Sequence, residues 1–266
     1  MYPIGRSNLI IIIYGCVNIG KILKIKLSCL ISFMKRIYNK STLIKGNTYH
    51  LEEKHYIHLI KVIRLNIGDQ IILFNEDNGE WLAKIIEIKK NALIAEVLEQ
   101  TLIPIVSSNI SLLFSPIKYL NSESIVRQST EMGIKNLYPT KFHRTVVSKI
   151  NLSKFEAYCI GAAQQSGRLS IPAIFKMEKL LNQRQLLLKS NVLMFDENLK
   201  GTHIDEVPME NFSDNLLVIV GPEGGFEEEE RKYIEANSKN FFNIKMGSQI
   251  LKADTAVIAA LSLTFH

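Results

Sequence analysis

Residues 217–226 read LVIVGPEGGF, so an unbroken apolar run leads straight into a glycine-rich loop, and a helix-forming stretch follows. That order, buried strand, loop, helix, is the strongest constraint in the chain on what it can fold into. Loops in this position bind ligands. Glu227, Glu228, Glu229 and Glu230 crowd the first turn of the following helix. Carboxylates there suit the helix dipole and would repel a phosphate, so a cationic ligand fits better than a nucleoside triphosphate. The loop also matches neither the GxxxxGKS/T phosphate-binding pattern nor the dinucleotide GxGxxG pattern. Read without any function, it is a tight turn after a core strand.

A second unit of the same shape follows. Residues 241–245 read as a short strand, 246–251 as a loop, and Lys252 onward as an alanine-rich helix. Two such units in series point to one crevice, because ligands of open α/β sheets bind outside the carboxyl ends of the strands. Upstream, Ser122 is expected to cap a helix ending at Gly133, and residues 136–139 to form a short strand. Ser153 and Glu156 have the capping-box spacing, which places a helix over 155–165 and its stop near Ser166-Gly167. Strands over 191–195 and 216–220 complete an α/β sheet. Nearer the start, a helix is predicted over 54–64 and a strand over 70–75. A turn at Asn78-Gly79 and strands over 81–88 and 92–98 follow. Spacing this short favours a compact barrel over a βαβ unit. Residues 102–106, with Pro104, read as a linker.

GPEGGF followed by MGSQILKADTA resembles the RsmE family, SPOUT-class methyltransferases acting on 16S ribosomal RNA. IVRQSTEMGIKNLYP, HRTVV and AAQQSGRLSIPAI resemble family blocks in the expected order, and HYIHLIKVIRLNIGDQIILFN is similar to the family's N-terminal RNA-binding domain. The resemblance covers Met34 to the C-terminus. It implies an α/β fold in which a small PUA-like β-barrel domain, 34–104, precedes a SPOUT-like trefoil-knot methyltransferase domain, 105–266. It also implies S-adenosylmethionine as cofactor, ring nitrogen N3 of a uridine in 16S ribosomal RNA or the assembled small subunit as target, a homodimer and a cytoplasmic location. Periodicity alone says nothing of a knot.

The implied chemistry is attack by the uracil nitrogen on a sulfonium methyl. That reaction needs alignment and a proton acceptor, and no metal. The resemblance places the cofactor against Phe195, Val220, Gly221, Pro222, Glu223, Gly224 and Gly225 on one side and Met246, Gly247, Ile250 and Leu251 on the other. Glu223 and Lys252 are the candidate catalytic residues. A carboxylate inside a glycine loop also serves as an acceptor for backbone amides, and that structural role is placed first for Glu223. Lys252 and Asp254 depart from the arginine and glutamate usual in the family, so charge is kept while the bidentate fork is lost. Lys35, Arg36, Lys61, Arg64, Arg144 and Arg168 are the expected RNA contacts. His143 reads as a surface or stacking residue, and His55 and His58 lack a metal partner in the sequence pattern.

Composition adds bounds. The chain of 266 residues, 47% hydrophobic and 22% charged, can bury one large core or two modest ones. The formal net charge is +6, but Arg6, Lys21, Lys24 and Lys26 lie in a segment without acidic residues, and removing them leaves only +2. An RNA-binding face must therefore come from local clustering. Residues 1–33 hold no apolar run of about 20 residues, as a membrane span needs, and lack the order of a signal peptide. They read as an appendage upstream of a family-like start at Met34, or as the product of a misplaced start codon. Three cysteines without paired or zinc-type spacing fit the cytoplasm, and Cys159 is expected as a small buried hydrophobe. Two other function classes stay open: a non-catalytic RNA-binding protein, suggested by Lys252 and Asp254, and another glycine-loop enzyme, which would lack a GxSxG nucleophile elbow.

Overall fold

The computed structural model describes residues 34–105, 108–118, 120–196, 201–208, 215–247 and 249–265. The extension 1–33 lies outside the described residues. Two sheets organise the rest.

The first sheet contains β1 (Arg36–Tyr38), β2 (Thr48–Leu51), β3 (Gln70–Asn75), β4 (Gly79–Lys89) and β5 (Ala92–Leu102), in the order β1-β3-β4-β5-β2. Only β1 and β3 pair in parallel. Ile71, Leu73, Ala83, Ile85, Leu93, Ala95 and Val97 point to one side by the two-residue period of a strand and are fully buried. Tyr56 and Leu59 cover them from α1 (Glu53–Tyr56), which continues as a π-helical segment over Ile57–Val62. The predicted helix over 54–64 thus changes type midway, and Arg64, at φ 66°, lies in the left-handed region past its end. Between β3 and β4 the side chain of Asn75 accepts from the N–H groups of Asp77 and Asn78. Gly79 then takes φ 74°, and a Cβ on it would lie 2.2 Å from the Leu102 carbonyl oxygen. Glycine is required there both by its backbone angle and by the neighbouring strand.

The second sheet is built of β6 (Ile110–Phe114), β7 (Asn136–Lys141), β8 (Ala173–Ile174), β10 (Asn191–Asp196), β11 (Leu216–Val220) and β12 (Asn240–Lys245), in the order β12-β10-β11-β6-β7-β8. A short β9 (Glu178–Lys179) pairs with β7, and every pairing is parallel. Its central strands are apolar on both faces. Leu112, Leu193, Val218 and Val220 pack under α2 (Leu120–Glu131), α3 (Leu152–Ser166) and α6 (Ala253–Phe265). Leu113, Val192, Met194, Leu217 and Ile219 pack on the other side, with Leu187 of α4 (Arg184–Leu188) and Ile234 of α5 (Glu228–Asn237). Continuous Val, Ile and Leu runs follow from this burial on both sides.

Two predicted caps are corrected. Ser122 lies inside α2, and its hydroxyl bonds back to the N–H and carbonyl of Ile117. For α3 the cap is Asn151, which accepts from the Lys154 N–H at 3.0 Å, so the Ser153–Glu156 spacing is incidental. Glu156 instead pairs with Lys40 at 2.5 Å. The capping box of this protein is at Glu227 and Glu230, ahead of α5. Gly133 and Gly167 close α2 and α3 with positive φ, as expected. Cys159 is fully buried and its thiol is pushed up to about 11 by that burial.

Candidate active site

β10, β11 and β12 end side by side, and a crevice opens at their carboxyl ends. β10 contributes Phe195 and Asp196; β11 contributes Val220 and runs into the loop 221–226; β12 runs into Met246, Gly247, Gln249 and Leu251. Ala253 and Ala256, at the start of α6, close the floor. The glycine loop is held by a tight turn in which the Gly225 N–H donates to the Pro222 carbonyl at 2.9 Å, with Gly225 at φ 71°. At Gly221 the constraint is contact rather than backbone angle. An added Cβ would meet the Phe226 ring at 2.8 Å, and that ring stands edge-on to Phe142 with centroids 5.3 Å apart.

Phe195, Val220, Gly221, Pro222, Glu223, Gly225, Met246, Gly247 and Leu251, all expected from the sequence, line this crevice together. Gly224 and Ile250 do not. Gly224 backs onto Arg144, whose guanidinium donates to the Gly224 carbonyl, and Ile250 is 75% exposed. Asp196, Phe226, Gln249, Ala253 and Ala256 were not singled out in the sequence. Asp196 had a signal, since it is a carboxylate ending an otherwise apolar strand. Its side chain is fully buried and held by Arg231 of α5, with Nε–Oδ2 2.5 Å and Nη2–Oδ1 3.3 Å.

The acidic run has a structural use that the sequence did not reveal. Glu230 accepts from the Glu227 N–H at 2.9 Å and from the His143 N–H at 2.8 Å. Glu227 accepts from Arg144 Nε at 2.8 Å, which holds its carboxyl below the usual carboxylate range. Glu228 pairs along its own helix with Arg231 and Lys232. Of the two acidic residues that line the crevice, Glu223 is exposed there, whereas the carboxylate of Asp196 is buried against Arg231. Glu223 is exposed, and among the described residues its carboxylate caps no backbone amide. The structural role placed first for it has no contact behind it here. Lys252 is exposed between Leu251 and Ala253, which both line the crevice, and its carbonyl accepts the first hydrogen bond of α6, from Ala256 at 2.7 Å.

Two of the expected RNA contacts are corrected. Arg36 donates to Glu80 at 2.9 Å, to the Ala163 carbonyl at 2.8 Å and to the Arg168 carbonyl at 3.1 Å, and its guanidinium lies 4.2 Å from the centroid of the Phe74 ring. It joins the first sheet to α3. Arg168 donates to the carbonyls of Thr130 and Ile134 and to Ser170, and burial pushes its guanidinium down to about 10. Both arginines satisfy orphan carbonyls, a role their sequence context does not distinguish from RNA contact. Arg144 is half-exposed but tied to the glycine loop. Lys35, Lys61 and Arg64 are exposed. Among the described residues no group of three or more His, Cys, Asp or Glu side chains is placed to hold a metal ion, and no helix is long and apolar enough to cross a membrane.

Comparison with known proteins follows this geometry. The RNA methyltransferase domain family matches residues 106–264, and the RNA methyltransferase PUA domain family matches residues 51–98. The chain is 33% identical over 231 residues to the ribosomal RNA small subunit methyltransferase E of Rickettsia conorii, covering 85% of this chain and 93% of that one. It is 27% identical to the protein of the same name from Bacillus subtilis, covering 84% and 91%. Among solved structures, the ribosomal RNA small subunit methyltransferase E of Neisseria gonorrhoeae, bound to S-adenosyl methionine, superposes with a TM-score of 0.76 at 25% identity. That match covers 86% of this chain and 95% of the other.

Proposed function

The chain belongs to the ribosomal RNA small subunit methyltransferase E family, and from that premise we propose that it methylates N3 of one uridine in 16S ribosomal RNA, with S-adenosylmethionine as donor. The observation that carries this reading is the crevice itself. It joins a glycine loop in which an added methyl group would strike the Phe226 ring, an apolar wall and the exposed Glu223 at the carboxyl ends of three adjacent parallel strands.

Those residues fit a cationic adenosine-containing ligand. Gly221 and Gly225 let the backbone approach closely, Phe195, Val220, Met246 and Leu251 offer apolar contact, and Glu223 at the rim adds a solvent-screened negative charge that a sulfonium tolerates. When bound, the cofactor supplies an electrophilic methyl group. The chain supplies position: the loops after β11 and β12 orient the donor, and the crevice walls exclude water. Glu223, exposed at the rim, is the proposed proton acceptor for the uracil N3–H, and Lys252, exposed between the lining residues Leu251 and Ala253, is proposed to hold the target base or its phosphate. Lys35, Lys61, Arg64 and Arg144 are proposed RNA contacts. A trefoil knot around the crevice, a homodimer, a cytoplasmic location and domains spanning 34–104 and 105–266 belong to the same proposal.

The test is mass-spectrometric mapping of small-subunit RNA from cells lacking the gene, with wild-type and Lys252→Ala copies restored separately. Loss of one methyluridine in the deletion strain, regained with the wild-type copy, is the expected result. An unchanged modification map would overturn the reading and leave a non-catalytic RNA-binding role in its place.

A further inference from the structure

Every residue of the loop 221–226 lines the crevice except Gly224. At that residue the loop is held from outside, by Arg144, eighty residues away in the chain. Arg144 Nη1 donates to the Gly224 carbonyl, and Nε donates to Glu227 Oε1 at 2.8 Å. The arginine stem lies against the same glycine. A Cβ on Gly224 would come within 3.1 Å of Arg144 Cδ and 3.5 Å of its Cβ. Gly224 is therefore small to seat an arginine, whereas Gly221 is small to seat the Phe226 ring.

The arginine is presented by a turn that is itself fixed. Thr145 Oγ1 accepts from the Phe142 N–H at 2.9 Å and shares a bond of 2.8 Å with the buried Ser115 hydroxyl. The Ser115 N–H donates in turn to the Val220 carbonyl, where the glycine loop begins, at 3.2 Å. At the other end of the loop Phe142 stands edge-on to Phe226, and the His143 N–H donates to Glu230 at 2.8 Å. Arg144 thus meets the middle of a loop whose two ends are tied to the same turn. One peptide group carries the effect inward. The Gly224 carbonyl and the Gly225 N–H belong to one planar trans peptide and point in opposite directions. A guanidinium on the carbonyl therefore sets the direction of that N–H, which closes the turn on the Pro222 carbonyl at 2.9 Å. Pro222 and Gly225 both line the crevice.

We propose that Arg144 is a positioning residue for the cofactor: by holding the Gly224–Gly225 peptide from outside the crevice, it keeps the loop in the shape that receives S-adenosylmethionine. Glycines give this turn many accessible backbone conformations, so a charge-assisted hydrogen bond from a fixed donor selects among them. The reaction gains most from alignment of donor and acceptor, and a loop free to re-orient loses it. The RNA contact proposed above for the exposed edge of Arg144 is a separate role. The inference rests on the methyltransferase reading for the identity of the ligand.

The test is calorimetric titration of the full chain with S-adenosylmethionine, without RNA and well below the melting temperature, for wild type, Arg144→Ala and Arg144→Lys. Arg144→Ala should bind the cofactor about tenfold to a hundredfold more weakly, the range of one charge-assisted hydrogen bond. Arg144→Lys keeps bulk and charge but lacks the fork that holds a carbonyl and a carboxylate together, so it should recover only part of the loss. In methyl-transfer assays KM for S-adenosylmethionine should rise with the same ranking, while the slope of log RNA affinity against log salt falls by at most about 0.7, the share of one phosphate contact. Wild-type cofactor affinity in a folded Arg144→Ala protein, with only its melting temperature lowered, would overturn the positioning role and leave a purely structural one. Where the alanine variant does not fold, wild-type affinity in Arg144→Lys has the same force. A wild-type chain that binds no S-adenosylmethionine would overturn the methyltransferase reading as well.

Discussion

Gly221→Ala tests the construction of the crevice directly. The new methyl carbon would lie 2.8 Å from two atoms of the Phe226 ring and 3.1 Å from a third. Carbon atoms pack best at about 3.5–4.0 Å, so the ring must move by roughly 1 Å. It has little room. Phe226 is 3% exposed, and its neighbour Phe142 is 2% exposed and already edge-on to it. Overpacking of this kind costs about 1–3 kcal/mol, which for a chain of this size lowers the melting temperature by about 2 to 5 °C. If the ring relieves itself into the crevice, the strain appears instead as lost cofactor affinity, about tenfold for each 1.4 kcal/mol. Thermal unfolding and calorimetric titration with S-adenosylmethionine measure the two shares. Phe226→Leu removes the atoms in conflict, so the double variant should lose less than the sum of the two single changes. A Gly221→Ala protein within about 1 °C of wild type with unchanged affinity, or a strictly additive pair, would refute the steric argument.

Arg36→Ala should destabilise the fold by about 3 kcal/mol in denaturant titrations, because it leaves Glu80 and two carbonyls without their donor, and Arg36→Lys should recover little of it; the salt slope of RNA binding should stay put. His55 is driven down to about 4, first by burial and then by Lys54, so the unfolded chain binds the extra proton between its ordinary value of 6.5 and about 4. Stability should therefore fall as pH drops through that window, and His55→Gln should flatten the fall in melts taken at successive pH values. Glu223→Gln should lower kcat about tenfold to a thousandfold while leaving cofactor affinity within about twofold, read by single-turnover methyl transfer. Lys252→Ala should raise KM for RNA more than it lowers cofactor affinity, and Lys252→Arg should hold or improve on wild type.

Much of the architecture was legible because local pattern and burial agree. The apolar runs before Gly221 and Met246 occur as β11 and β12, and strand 70–75 and the turn before Gly79 fall where expected. Lateral order is decided elsewhere. β11 lies between β10 and β6, and β12 beyond β10, and no period in the sequence encodes which apolar strand pairs with which. The same limit governs charge. Glu227 to Glu230 suit a helix start on dipole grounds alone, but their partners His143 and Arg144 lie more than eighty residues away. Arg36 and Arg168 look like any exposed basic residue in one dimension. Only the approach of the first sheet to α3, for Arg36, and of the segment after α3 to the end of α2, for Arg168, surrounds them with carbonyls that need donors. Residue type and spacing thus determine which segments form strands, turns and helices and which loops are narrow enough for a ligand. Which charges face solvent and which close the interior is decided by tertiary contacts, because desolvation and pairing depend on neighbours distant in sequence.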